Sequence, residues 1–309
     1  MQVQENEAMS RHTSFKVGGP ARFFVKVDHI ADLKEALALA KGQNLPYFVL
    51  GNGTNLLVSD KGFQGVVIAL AGEFSEIEDL GNGHFKVGAA TPLGKFARHT
   101  LKQGYAGIHK LAGIPGTLGG AVFMNAGAYG QEIGYCCTAV TTLDSEGNIR
   151  ELSAAECSFG YRRSIFSKCR GTANCSQIIL SAKFQLQSAA SLGKSVADLE
   201  AELEECMAKR KATQPLNKPN AGSTFKRLDA GAADTPTQVA PGYYIEQAGL
   251  KGYRIGGAEV STLHANFIVN ADNATAQDIK NLSEYVQSKV AEKFGIALQR
   301  EIILLGEFG

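Results

Sequence analysis

Residues 111–132, LAGIPGTLGGAVFMNAGAYGQE, carry glycine at positions 113, 116, 119, 120, 127 and 130. Interior glycine costs a helix about 0.5–1 kcal/mol relative to alanine, which argues against an ordinary helix here. A strand is no better served, because glycine brings no side chain to pack against its neighbours. What the run offers is bare backbone amide that a large ligand can approach closely. A second glycine-rich segment, GNGTNLLVSD (51–60), follows directly on the apolar run Tyr47-Phe48-Val49-Leu50. Two separated loops of this kind predict a long phosphate-bearing cofactor held at two points.

Composition removes several rivals. A chain of 309 residues, 44% of them hydrophobic, is long enough for two or three domains with real cores. No apolar run approaches the roughly 18–20 residues that span a bilayer, so no membrane insertion is expected. The opening MQVQENEAMSRHTSF has neither a basic start nor an apolar centre, so no secretory signal is visible and a cytoplasmic location is expected. Lys+Arg 31 against Asp+Glu 30, with no tryptophan and no basic block, gives a nucleic-acid partner little support. The cysteines at 136, 137, 157, 169, 175 and 206 form no CxxC and no zinc-like spacing. The adjacent Cys136 and Cys137 are able to oxidise, but reduced, small-hydrophobe cysteines are the expectation. The histidines are scattered and HExxH is absent, so no metal is expected.

Periodicity predicts a strand over 21–27, a helix over 32–41 with Leu33, Ala36, Leu37 and Ala40 on one face, and a strand over 47–50. After the turn the chain returns to strand-like residues, 56–58 and 66–68, and no helix follows. Gly51 and Gly53 lack a third glycine, since position 56 is Leu56, so the Rossmann fingerprint fails. Neither loop ends in the Gly-Lys-Ser/Thr of a P-loop. Residues 140–143 and 149–152 flank a hairpin turn. Ile178 onward alternates, with Leu180, Ala182, Phe184 and Leu186 expected on one face. Residues 188–195 read as a linker, and Val196, Leu199, Leu203, Cys206 and Met207 mark an amphipathic helix. Thr275 and Asp278 form a capping pair for a helix whose apolar face is Ile279, Leu282, Val286, Val290 and Phe294. Residues 296–305 read as a closing strand and 229–241 as an exposed loop.

Consecutive backbone N–H groups in a turn make a concave anion site without a charged side chain. Gly51-Asn52-Gly53-Thr54-Asn55, continuing into Leu56, suits a pyrophosphate, and an aspartate at 53 would set charge and bulk beside it. Gly113-Ile114-Pro115-Gly116-Thr117 and Gly119-Gly120-Ala121 would wall the rest of a dinucleotide. Either loop alone reads equally well as a tight turn. Together, without Rossmann or P-loop signatures, they favour a non-Rossmann flavin site.

Seven blocks carry a specific resemblance: HTSFKVGGPARFF, GNGTNLLVSD, AGIPGTLGGAVFMNAGAYGQEI, FGYRRSIF, NAGSTFKR, GLKGYRIGGAEVSTLHANFIVN and LQREIILLG. In this order they resemble the UDP-N-acetylenolpyruvoylglucosamine reductases over nearly the whole chain. The resemblance implies an α+β fold: a two-subdomain FAD-binding region of the vanillyl-alcohol-oxidase (PCMH) type, then a C-terminal α+β substrate-binding domain. The expected boundaries are 1–70, 71–190 and 191–309, with the last strand returning to the FAD region. It implies non-covalent FAD, NADPH as co-substrate, and the enolpyruvyl ether of UDP-N-acetylglucosamine as the small molecule reduced, to UDP-N-acetylmuramate, in peptidoglycan precursor synthesis. A monomer or weak oligomer is expected. No lid insertion with the substrate-clamping tyrosine of one branch is visible, so the chain is closer to the shorter branch, and residues 227–241 form a longer link than usual.

Reduction of an enol ether beside a carboxylate needs hydride at the β carbon, stabilisation of the enolate, and a proton at the α carbon. The resemblance assigns these needs to Arg162, Ser223 and Glu301. Arg162 would fork the carboxylate and offset enolate charge. Arg163 is the neighbouring alternative, pointed oppositely if the segment is a strand. Ser223 matches the proton donor, and Glu301 would act as a protonated donor or through water, which requires a raised pKa. Asn125 and Gly127 fall in the cofactor block. Tyr161, Asn220, Lys251, His264 and Asn266 fall in substrate-side motifs, and Arg210 is a further candidate for flavin or substrate. A flavin oxidase and a catalytically silent nucleotide-sugar sensor are the other readings. The first is disfavoured by the absence of an identifiable covalent-flavin histidine, the second by the presence of Arg162, Ser223 and Glu301 together.

Overall fold

The computed structural model describes residues 1–228 and 240–309. The loop expected at 229–241 falls almost entirely outside the described residues. The described chain divides into two compact units, each assembled from three separate segments. Residues 1–5, 23–52 and 65–210 make the first; residues 6–22, 53–64 and 211–309 make the second. This division differs from three consecutive stretches parted at 70 and 190, because residues from the opening seventy pack into the core of the C-terminal unit. No helix of the described residues is long and apolar enough to cross a membrane.

In the first unit, helix Ile30–Gly42 forms where Leu33, Ala36 and Ala40 recur on one face, and it buries that face. His29 and Asp32 close a capping box at its start. The buried stripe packs on Val25, Val27, Val66 and Ile68 of neighbouring strands. Strand Tyr47–Leu50 runs parallel to Phe63–Leu70, register Tyr47↔Val66, and its end delivers Gly51 and Asn52.

A five-stranded antiparallel sheet carries the rest of that unit, in the spatial order Ile149–Ser153, Cys137–Asp144, Gln177–Gln185, His84–Gly88 and Ile77–Gly81. The hairpin expected at 140–152 is its first pair, register Val140↔Leu152. The Gln177–Gln185 strand corrects the reading that Leu180, Ala182, Phe184 and Leu186 share a face. Thr141 pairs with Ser181 but Thr142 with Ile179, so Leu180 is an extra residue that reverses the alternation. Leu180 accordingly joins one core with Ile178 and Leu143, while Ile179, Ala182, Phe184 and Leu186 join the other.

The cysteines also depart from expectation. Cys169 and Cys175 are joined in a disulfide, closing a short loop with Cα atoms 5.5 Å apart. Inside that loop Asn174 accepts the Tyr47 N–H at 2.8 Å, and the Tyr47 hydroxyl donates to the Cys175 carbonyl at 2.6 Å. Their six-residue separation gave no sign of pairing. Cys136 and Cys137 are free and buried, and burial pushes the Cys136 thiol up to about 12, so neither thiolate is accessible at neutral pH.

In the second unit, Thr275 and Asp278 cap helix Ala276–Phe294 as the sequence predicts, and a third group joins them. The Asp60 carboxylate accepts the N–H groups of Ala276 and Gln277 at 2.8 and 2.9 Å, so the helix start is saturated. Ile279, Leu282, Val286 and Val290 are buried with Phe15, Leu57 and Phe225, while Phe294 is only partly buried. The expected closing strand over 296–305 is regular only at Ile303–Leu305, which pairs in parallel with Leu56–Val58. Arg300 contributes one bridge to Phe225.

Candidate active site

Residues 111–132 hold a helix after all, Leu118–Met124, which corrects the expectation that their glycines forbid one. Gly119 and Gly120 lie in its first turn, where no intrahelical N–H bond is lost, and Thr117 caps it by accepting from the Gly120 N–H at 3.4 Å. Gly119 is needed for packing: an added Cβ would stand 3.0 Å from the Ala89 Cβ. Its N–H donates to the Ala89 carbonyl at 2.8 Å. Gly113 is pressed in the same way by the Met207 sulfur and the Arg210 Cδ, at 3.1 and 3.2 Å from a Cβ there.

The first unit laces part of the two glycine segments together. The Asn52 side-chain amide donates to the Pro115 carbonyl at 2.8 Å, and a Cβ on Gly51 would lie 2.7 Å from the Thr117 hydroxyl oxygen. Their outer face stays open, with Gly51, Asn52, Pro115 and Gly120 all exposed. A Cβ on Gly120 would meet only the Thr117 hydroxyl oxygen, at 3.5 Å. Bare, exposed amide with one edge fixed fits a phosphate-bearing cofactor. Gly120→Ala is the clean probe. It should leave folding stability unchanged or raise it by up to about 0.5 kcal/mol, while weakening FAD binding about tenfold by the bulk of one methyl. Equilibrium dialysis with unchanged FAD affinity would remove Gly120 from the cofactor surface.

Gly53 serves the chain itself. It lies in the second unit at φ +59°, and a Cβ there would stand 2.0 Å from the His12 carbonyl oxygen. The Gly53 carbonyl accepts the Ser14 N–H at 3.1 Å. Thr54 is half-buried; Asn55 donates its side-chain amide to the Glu301 carbonyl at 3.0 Å and its carbonyl accepts the Ile303 N–H at 2.9 Å. Leu56 is buried as the partner of Ile303. This half of the loop is a joint between strands, so bulk at 53 meets His12 whether or not a phosphate lies near.

Arg162 sits in a tight turn, which corrects the strand reading of Arg162 and Arg163. Gly160 and Arg163 exchange both backbone hydrogen bonds at 2.9 Å, leaving Tyr161 and Arg162 at the corner. Arg162 is held at φ +50°, a left-handed conformation that costs a branched-free side chain about 1 kcal/mol and clusters at functional sites. Its Nη2 donates to the Gly127 carbonyl at 2.7 Å, and its guanidinium lies over the Tyr161 ring at 5.3 Å. A Cβ on Gly127 would stand 2.7 Å from the Glu132 Cγ and 2.9 Å from the Gln131 carbonyl oxygen, so the hairpin itself requires the glycine. Asn125 is buried and spends its amide on protein: both hydrogens go to Glu132 and the Gly160 carbonyl, and its oxygen accepts the Gly134 N–H.

In the second unit Ser223 and Glu301 are brought onto adjacent backbones. The Glu301 N–H donates to the Thr224 carbonyl at 2.7 Å, one residue downstream of Ser223. Asn266 fixes this ledge, giving its carbonyl to the Thr224 N–H and clasping Phe225 through both side-chain atoms at 3.0 and 2.9 Å. Asn220 turns the chain into it, donating to Pro215 and Lys218 and accepting from Gly222. Both amides, expected on the substrate side, therefore shape the ledge. The His264 ring nitrogen Nδ1 accepts the Asn266 N–H at 3.2 Å, and burial lowers the ring's pKa, so the neutral ring keeps its hydrogen on Nε2. Lys251 pairs with Glu246 at 2.8 Å.

Sequence reasoning missed Glu132 and Asp60. Glu132 is reached through a two-residue hairpin corner, Tyr129-Gly130 at φ +51° and +78°, that pairs Gly127 with Glu132, and Tyr-Gly lacks the Asn-Gly or Asp-Gly signature that marks such a corner in a sequence.

Residues 21–153 match the family described as FAD binding domain. With the exposed glycine face, that match defines the class: an FAD-containing oxidoreductase with a flavin region of the vanillyl-alcohol-oxidase type and a C-terminal α+β domain. Residues 214–305 match the family described as UDP-N-acetylenolpyruvoylglucosamine reductase, C-terminal domain. The chain is 42% identical over 306 residues to the UDP-N-acetylenolpyruvoylglucosamine reductase of Caldanaerobacter subterraneus subsp. tengcongensis, covering 98% of this chain and 93% of that one. Against the enzyme of that name from Clostridioides difficile the identity is 39%, over 99% of this chain and 94% of the relative. The crystal structure of UDP-N-acetylenolpyruvylglucosamine reductase from Thermus caldophilus superposes with a TM-score of 0.80 at 33% identity, over 99% of this chain and all of that one. The chain belongs to the UDP-N-acetylenolpyruvoylglucosamine reductase family.

Proposed function

We propose that this protein reduces the enolpyruvyl ether of UDP-N-acetylglucosamine to UDP-N-acetylmuramate, with NADPH as electron donor, in the cytoplasmic stage of peptidoglycan synthesis. Bound FAD supplies the two-electron hydride relay between donor and alkene. The guanidinium of Arg162 forks the substrate carboxylate and offsets the enolate charge as it develops. The Ser223 hydroxyl delivers the proton to the α carbon, and the Glu301 carboxyl, held one strand away, stabilises the same enolate. Lys251 and His264 offer a cation and an N–H donor to the sugar or diphosphate. The protein acts as a monomer or weak oligomer.

The observation that supports this reading is the Glu301-to-Thr224 backbone hydrogen bond, which brings the segments carrying Ser223 and Glu301 onto adjacent backbones in a unit of this family. Stopped-flow absorbance with NADPH and substrate added in turn tests it. NADPH alone should bleach the flavin, and the enolpyruvyl sugar should restore its colour without oxygen. Reoxidation that requires oxygen and ignores the sugar would mark an oxidase instead.

A further inference from the structure

Two of the hydrogen bonds that hold the Arg162 turn lead to one buried amide. The first is the Gly160 end of the turn, whose carbonyl accepts from Asn125 Nδ2 at 2.9 Å. The second is the Gly127 carbonyl, which accepts from Arg162 Nη2 at 2.7 Å. Gly127 belongs to a two-residue hairpin in which it stands opposite Glu132. The Glu132 carboxylate accepts the other Asn125 hydrogen at 2.8 Å. Asn125 Oδ1 takes the Gly134 N–H at 2.8 Å and so pins the far side of that hairpin. Asn125 is 2% exposed, ends helix Leu118–Met124, and stands at φ +43°, a conformation asparagine adopts more readily than most residues.

We propose that Asn125 is a positioning residue for Arg162: one side-chain amide fixes both the turn that carries the guanidinium and the hairpin carbonyl that orients it. The placement rests on the role proposed for Arg162. A left-handed arginine in a two-residue turn does not hold its geometry unaided, because the conformation is costly and the corner is half-exposed. The amide does what a positioning shell does, locking the backbone on both sides of a functional group. It also removes Asn125 from the direct cofactor contacts, since both of its N–H bonds are used within the protein.

Asn125→Gly tests this, because glycine keeps the positive φ and deletes only the amide. FAD affinity and the rate of flavin reduction by NADPH should stay within about threefold of the parent, while reoxidation by the enolpyruvyl sugar slows about 10–100-fold with kcat falling more than KM rises. Arg162→Lys, run in parallel, separates the two claims. A slow Arg162→Lys with a normal Asn125→Gly overturns the positioning role and leaves the arginine's role standing. A normal Arg162→Lys removes the arginine's role and the inference with it. A loss of FAD affinity in Asn125→Gly matching its loss of turnover returns Asn125 to the cofactor surface. Should Asn125→Gly fail to fold, Glu132→Ala removes the acceptor of that amide and should slow the same half-reaction selectively. A parallel fall in every rate with folded fraction would show a merely structural role.

Discussion

Replacing Ser223 by alanine should leave reduction of the bound flavin by NADPH within about twofold, yet slow reoxidation by the enolpyruvyl sugar on the order of 10²–10⁴-fold, the usual span for a lost general acid. That span is about 3–5 kcal/mol of transition-state stabilisation. The ledge should survive, because its fastening belongs to the neighbours. Thr224 is 1% exposed, gives its N–H to Asn266 and takes the Ile268 N–H on its hydroxyl at 3.2 Å. Ser223 itself is half-buried. Single-turnover measurements of the two half-reactions decide the matter. An equal loss in both would mean that the hydroxyl holds structure and donates no proton.

The second large effect concerns Gly53. Gly53→Ala should destabilise the fold by about 3 kcal/mol or more, from the left-handed φ of +59° and a methyl driven to within 2.0 Å of the His12 carbonyl. The loop has little room to relax. The Gly53 carbonyl already holds the Ser14 N–H, and two residues on Asn55 ties the chain to residues 301 and 303. Gly42→Ala is the control: a Cβ there meets nothing within 4 Å at the end of a helix, and stability should be unchanged or raised by up to about 1 kcal/mol. Chemical denaturation of the two variants compares them. Equal midpoints would show that the approach to His12 is not confining. FAD lost from Gly53→Ala or Gly53→Asp would report this collapse, so Gly120, on the open face, is the sounder probe of the cofactor surface.

What the sequence made legible follows from the range of each signal. The capped helix at 276–294 and the hairpin at 140–152 rest on local chemistry, capping residues and a polar turn between alternating strands, and both are present. The bulge at Leu180 was invisible because a one-residue insertion leaves no trace in the apolar pattern. So was the turn at 160–163, where a lone Gly before Tyr-Arg-Arg gives no conventional turn signature. The site was found by block order, yet the duties of individual amides were not. Asn125, Asn220 and Asn266 stood in blocks that suggested ligands; Asn125 and Asn266 are committed to backbone partners that only folding brings near, and Asn220 to the backbone of its own turn. A polar residue beside a ligand and one that braces the chain look alike in one dimension.

The interleaving of the two units has a consequence for biosynthesis. Phe15, Val17 and Leu57 belong to a core whose other buried members come from residues 221–302, so these early residues must wait, unburied, until the C-terminal third has left the ribosome. Non-local closure of this kind is slow and leaves apolar surface exposed meanwhile. Neither half can be excised by a single cut, and a nascent chain stalled before residue 300 would offer the cell's chaperones a finished first unit with residues 6–22 and 53–64 still short of their completed core.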